Sequence, residues 1–419
     1  LGETYGSSKG DCLRNGTVEV KGDFTSNYKE TGSNWYGYYE TNMHKTIFSG
    51  EKTQKISFKE PSQVNGFNDN LELQNNNINF ATPLYSLTVN NDMTISKTKD
   101  LQIVTQLIIN NGSFVTTGNV EANMLYINNT KENQIQGNLN MTGTVVFKKG
   151  SLEVRGNAKF DNGYLQMQDT EDKLLVKGNL TLGETYGGSE SDCLTNGTVE
   201  VKGDFTSNYK ETGSNWYGYY ETNTHKTIFS GEKTQKISFK EASQVNGFSD
   251  KLELQNNDIN FATPIYNVKI NQDTQLTNTE KLMITGTLNT GGYKFATTGN
   301  IDAERLDMGG AGVEIAGDVA VRTMNVSGSD NLIKGNLMAN GGGAAFKQGS
   351  LEVGGNAEFN NGFLQMQDTE DKLLVKGNLT LGETYGSSKG ECLTNGTVEV
   401  KGDFTSNYKE TGSNWYGYY

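Results

Sequence analysis

The chain has 419 residues, with 49 acidic against 36 basic side chains and a net charge of -13. A surface this acidic repels nucleic acid and anionic lipid, so neither is an expected partner. Only 34% of the residues are hydrophobic, beside 51 Gly and 3 Pro, which is too little for one large globular core and enough for a thin core drawn out along an axis.

Residues 16–39 read GTVEVKGDFTSNYKETGSNWYGYY, and the same letters return at 197–220 and 396–419. Recurrence of this kind marks an array and overrides the domain count that length suggests. The first long unit covers residues 1–181, the second 182–380, and a third begins at 381 and runs to 419, all expected to form one continuous solenoid. His44 corresponds to His225 and Pro83 to Pro264, 181 positions apart, whereas Gly150 corresponds to Gly349, 199 apart. The second unit therefore carries 18 extra residues, near Arg305 to Arg322. Because Leu1 already lies inside a repeat, the sequence reads as a window from a longer protein, without a secretion signal of its own. It holds no apolar run of the roughly 18 residues that spanning a membrane requires.

A shorter period lies inside the long one. Gly-Asn or Gly-Asp corners followed by an apolar residue fall at Gly118, Gly137, Gly156 and Gly178, then at Gly299, Gly317, Gly335, Gly355, Gly377 and Gly402. The spacing is 18 to 25 residues, so the 18-residue insertion equals one period. A solenoid tolerates a whole extra coil because each coil touches only its neighbours. Between corners the apolar residues alternate in short sets, such as Leu152/Val154 then Ala158/Phe160, which reads as half-buried strands. The expected fold is all-β: a parallel β-helix, right-handed because its coils vary in length, with two or three faces per coil. Gly and Asn would supply corners with positive φ, and Asn would stack in ladders between coils. Roughly twenty coils at about 4.8 Å each predict a rod of roughly 100 Å.

Three stretches break the rhythm, at 27–42, at 54–70 around Pro61, and at 184–196 around Cys193. Extra residues in a solenoid coil leave as loops, and the face carrying them often binds. The first loop holds Tyr28, Trp35, Tyr36, Tyr38 and Tyr39. Its copies hold Tyr209, Trp216, Tyr217, Tyr219 and Tyr220, then Tyr408, Trp415, Tyr416, Tyr418 and Tyr419. Aromatics with polar tips suit glycan stacking and lateral association; equally, the loop can fold its own aromatics down as a cap on the strands.

The phrases His44-Lys45-Thr46-Ile47-Phe48-Ser49-Gly50, Leu174-Leu175-Val176-Lys177-Gly178-Asn179-Leu180 and Gly197-Thr198-Val199-Glu200-Val201-Lys202-Gly203-Asp204-Phe205 resemble repeats of very large secreted or surface proteins of Gram-positive bacteria, chiefly clostridia and bacilli. The resemblance runs over essentially the whole chain. It implies an extracellular, cell-associated β-solenoid fibre and brings no catalytic residues with it.

The remaining candidates are sparse. Cys12, Cys193 and Cys392 occupy equivalent positions, about 45 Å apart along a rod, too far to pair within it; they are free thiols or cross-links between rods. His44 and His225 are expected to face solvent from a strand opening. Gly309-Gly310-Ala311-Gly312-Val313-Glu314 is close to a calcium nonapeptide, but Glu replaces the required Asp and there is one copy. No cofactor is expected beyond weak calcium at corner carboxylates such as Asp23 and Asp204. An acidic-polysaccharide lyase would need carboxylates and basic residues focused on one face, and Arg14, Arg155, Arg305 and Arg322 are scattered. The expectation is therefore a non-enzymatic structural fibre, with a glycan-binding adhesin as the alternative. Its partners would be further copies of itself and glycans.

Overall fold

The computed structural model describes residues 1–8, 13–30, 35–41, 43–67, 70–189, 193–211, 216–248, 252–310, 312–387, 392–410 and 416–418. Every regular element among them is a β-strand, and no helix is long and apolar enough to cross a membrane. The chain divides into two compact units, Leu1–Lys226 and Thr227–Tyr419. Each is a parallel β-solenoid.

In the first unit three columns of strands run side by side. One contains Met93–Ile95, Phe114–Thr116, Glu132–Ile135, Ser151–Val154, Lys173–Val176 and Thr198–Val201, every neighbour parallel. The second stacks Leu139–Met141 on Ala158–Gly163, Leu180–Tyr186 and Phe205–Ser207. The third pairs the end of Asn119–Ile127 with Val145–Phe147 and then Leu165–Met167. Alternation decides the register: in Ser151–Val154, Leu152 and Val154 are buried and their neighbours are not, and a slip by one residue would expose both. The core is therefore built of like positions on like, for example Val120, Leu139, Ala158, Leu180 and Phe205 in one row.

The second unit repeats this plan. Phe295–Thr297 pairs with Val313–Ile315, which pairs with Leu332 and Ile333, each step 18 residues long. The 18 inserted residues thus form one more full turn. Elsewhere the step is 25, as from Lys372 to Thr397, and it reaches 28 from Thr17 to Lys45. Because the loop-bearing coils are this long, the two units hold about 16 turns between them, fewer than the twenty expected.

The corners carry the side-chain ladder that the asparagines predict. The backbone N–H of Asn138 donates to Asn119 Oδ1 at 2.8 Å, that of Asn157 to Asn138 Oδ1, that of Asn179 to Asn157 Oδ1, and that of Asp204 to Asn179 Oδ1. The second unit runs the same ladder from Asn300 through Asp318, Asn336, Asn356 and Asn378 to Asp403. The preceding glycines are present for a different reason from the one expected. Gly137, Gly156 and Gly178 do not have positive φ. A Cβ on Gly156 would instead lie 2.4 Å from Asn138 Oδ1 and 2.7 Å from the Gly137 carbonyl oxygen. Close stacking, not backbone conformation, excludes a side chain there. Positive φ is required at the glycine of the Cys-Leu-x-Asn-Gly turn, where Gly16, Gly197 and Gly396 have φ of 90°, 79° and 88°.

A second corner device was not foreseen. The buried carboxylate of Asp172 accepts the backbone N–H groups of Lys149 and Gly150 on one oxygen and of Gln168 and Asp169 on the other, at 2.8–3.1 Å. Asp371 does the same for Gly349, Gln367 and Asp368. A buried carboxylate persists when its lone pairs are met by fixed donors in this way.

Candidate functional site: the aromatic loops

After the strand Phe24–Ser26 the chain leaves the coil and returns at Lys45–Phe48. What holds this excursion is mainly one buried asparagine in the neighbouring loop. Asn65 Oδ1 accepts the Ser26 hydroxyl at 2.9 Å and the Tyr38 N–H at 3.2 Å, while its amide nitrogen donates to the Glu60 carbonyl. The loop backbone adds bridges from Tyr36 to Ser7 and from Gly37 to the Val64 carbonyl. Asn65 carries no sequence signal beyond lying in the Pro61 loop.

This frame splits the aromatic set in two. Tyr28 is buried, with its ring against Gly37 and its hydroxyl donating to the Trp35 carbonyl at 2.8 Å. Tyr38 is buried edge-on against Phe24, ring centroids 4.9 Å apart. Trp35 by contrast is 45% exposed. Tyr36 and Tyr39 are half-buried, their rings 5.0 Å apart at 41°. The second copy repeats the division: Tyr209 and Tyr219 are buried, while Trp216, Tyr217 and Tyr220 are half-buried, with the Tyr217–Tyr220 rings 5.0 Å apart at 39°. In the third copy Tyr408 is half-buried, and Tyr416 and Tyr418 are exposed. Trp415 and Tyr419 lie outside the described residues.

Beneath the loop lies a buried polar chain. Thr46 donates to the Glu40 carboxylate, so the Tyr38 hydroxyl, 2.8 Å from Thr46 Oγ1, donates to Thr46. Burial pushes the Tyr38 hydroxyl pKa well above its ordinary value. The next member corrects the sequence expectation: His44 and His225 do not face solvent but are buried. Their Nδ1 atoms lie 3.2 and 2.7 Å from the Asn15 and Asn196 carbonyls, and their Nε2 atoms face Glu40 and Glu221 at 3.9 Å. The coil's return path turns the ring inward, because the residue opening the strand still closes the loop below it.

Cys193 and Cys392 are buried and form no disulfide, and Cys12 lies outside the described residues. Their carbonyls accept the N–H groups of Met167 and Met366, so the coil holds both at corresponding places. At the glycine-rich motif, Glu314 forms an ion pair with Lys334 at 2.5 Å. Among the corner carboxylates, Asp23 accepts the Lys55 N–H at 2.8 Å, and the Asp204 N–H belongs to the asparagine ladder. Arg155, Arg305 and Arg322 each pair locally, with Glu153, Asp307 and Glu304. A comparison with known protein families, curated proteins and solved structures finds no match to this chain.

Proposed function

We propose that this chain is a segment of a secreted or cell-surface structural fibre, in keeping with the Gram-positive repeats it resembles. Backbone hydrogen bonds between successive coils, joined by corner ladders over residues 119–204 and 300–403, support this reading. Such a stack can be lengthened by whole turns without redesign, and it carries its loops at intervals set by the repeat. Immunogold labelling of intact cells of the source organism tests the proposal. Label on filaments outside the cell is expected, and label confined to the interior would overturn it.

A second reading is supported by one observation: the loop buries Tyr28 and Tyr38 but leaves Trp35, Tyr36 and Tyr39 partly open. Half-open aromatic faces suit a sugar ring or another protein surface, and this is the adhesin reading. Replacing both tryptophans, Trp35→Ala with Trp216→Ala, should weaken glycan-array binding at least tenfold while leaving the melting temperature unchanged. A large fall in melting temperature with binding intact would make these rings part of the loop's packing instead.

A further inference from the structure

Several loop glycines are occupied by a neighbour. At Gly37 and Gly188 an aromatic ring takes the space of the missing side chain, with Tyr28 and Tyr164 carbons 2.7 and 2.6 Å from where a Cβ would stand. Gly66 differs. Its φ is not positive, and among the described residues a Cβ there would meet only the Ser62 carbonyl oxygen at 3.7 Å and Tyr85 Cβ at 4.0 Å, both ordinary contacts. Neither backbone conformation nor packing therefore calls for glycine. Yet Gly66 stands between two half-buried tyrosines. Tyr39 pairs with it in parallel from the coil on one side, the Gly66 N–H donating to the Tyr38 carbonyl at 3.0 Å. Tyr85 stands beside it on the coil that follows. Neither ring comes to lie over the glycine. In the second unit Gly247 repeats the arrangement on the side of Tyr266, without positive φ and with Tyr266 Cβ at 3.4 Å.

We propose that the gap over Gly66 is a slot for one neutral hexopyranose ring, with Tyr39 and Tyr85 as walls and Gly66 as floor. The proposal rests on the adhesin reading and narrows it to a ligand class and a place. Width is the first argument. Two coil steps of about 4.8 Å set the walls about 9.6 Å apart. A ring held at van der Waals distance on both faces, about 4 Å each, needs about 8 Å, so a modest tilt of the tyrosines closes on it. Chemistry is the second. A pyranose presents apolar C–H faces to the aromatic walls and hydroxyls around its edge. Among the described residues neither the Tyr39 nor the Tyr85 hydroxyl is engaged by the protein, and the Ser62 carbonyl borders the floor. The Tyr36 ring, 5.0 Å from that of Tyr39, broadens one wall. Charge is the third: a chain with a net charge of -13 disfavours anionic sugars. A side chain at position 66 would fill the slot, which gives its glycine a reason that the fold does not.

Saturation-transfer NMR of the 419-residue chain with the methyl glycosides of glucose, galactose and mannose tests it, beside N-acetyltyrosine amide as an aromatic probe. Saturation of the ring C–H protons of at least one hexoside is expected. Gly66→Leu with Gly247→Leu should weaken that binding about tenfold or more, with the melting temperature unmoved because a side chain fits the fold there. Hexoside binding that survives both leucines overturns the proposal. So does saturation of the aromatic probe alone, which would assign the slot to a protein side chain. Should the leucines lower the melting temperature, Tyr85→Ala with Tyr266→Ala removes walls instead and must give the same loss; binding that persists then overturns it as well. Glycan-array binding that is lost in the Trp35→Ala, Trp216→Ala protein but kept with the leucines leaves the adhesin reading standing without the slot. A parent chain that binds no glycan on the array and no hexoside removes both.

Discussion

At Asn138 a single carboxamide oxygen accepts the backbone N–H of Asn157 one turn on, while Asn119 holds its own N–H one turn back. The bond sits at a partly open corner, so its net worth is that of an ordinary hydrogen bond, about 1 kcal/mol. Asn138→Ala should cost about that much. Asn138→Asp should be close to neutral, since Asp318 fills an equivalent place in the second unit. Gly156→Ala should cost more, about 1–3 kcal/mol, because its Cβ would meet the Asn138 oxygen and a carbonyl that cannot withdraw. Thermal denaturation ranks the three, and a neutral Gly156→Ala would defeat the close-stacking account.

Tyr385 offers a residue-level test by pH. Burial pushes its hydroxyl up to about 12 from the usual 10, with the Leu364 N–H donating to the oxygen. Tyr186 is shifted the same way by burial. A raised folded value means that the stabilising contribution is complete below pH 10 and is lost as pH climbs from 10 towards 12. Tyrosinate absorbance should therefore rise in two phases, the later one coinciding with loss of β-sheet circular dichroism. A single phase centred on pH 10 would show these hydroxyls to be open to water.

The coil, as an element, was legible from its spacing. The gap between corner glycines and the 181-against-199 offset both identify 18 residues as a complete turn, and the pairing of Phe295 with Val313 and of Glu314 with Leu332 realises it. Removing residues 305–322 should then leave a folded chain, its melting temperature within about 5 °C of the parent. Removing nine residues of the same segment should unfold the region, because half a turn brings inward side chains to the surface. The loops were less legible. Their existence follows from coil length, but the sorting of Tyr28 and Tyr38 inward from Trp35 and Tyr39 depends on Asn65, which reaches them from a different coil. The inward turn of His44 likewise depends on the Asn15 carbonyl, 29 residues away.

At the scale of the whole molecule, stability is distributed rather than concentrated. Each coil contacts only its neighbours, so unfolding can begin locally and spread. Urea denaturation should give a broad transition, with an apparent m-value well below that of a cooperative 419-residue domain. A single sharp transition would mean that both units unfold together.

The sequence by itself determined the class of structure. Period-two alternation, short strands, Gly-Asn corners and a repeat divisible into whole turns leave a parallel solenoid as the consistent solution, because each of these is a local property of the chain. Burial is not local. Within one 24-residue phrase Tyr28 and Tyr38 are enclosed while Trp35 and Tyr39 are partly open. What covers a residue in a solenoid is the neighbouring coil, some twenty to thirty residues away, and only the tertiary structure decides which side chains that coil encloses.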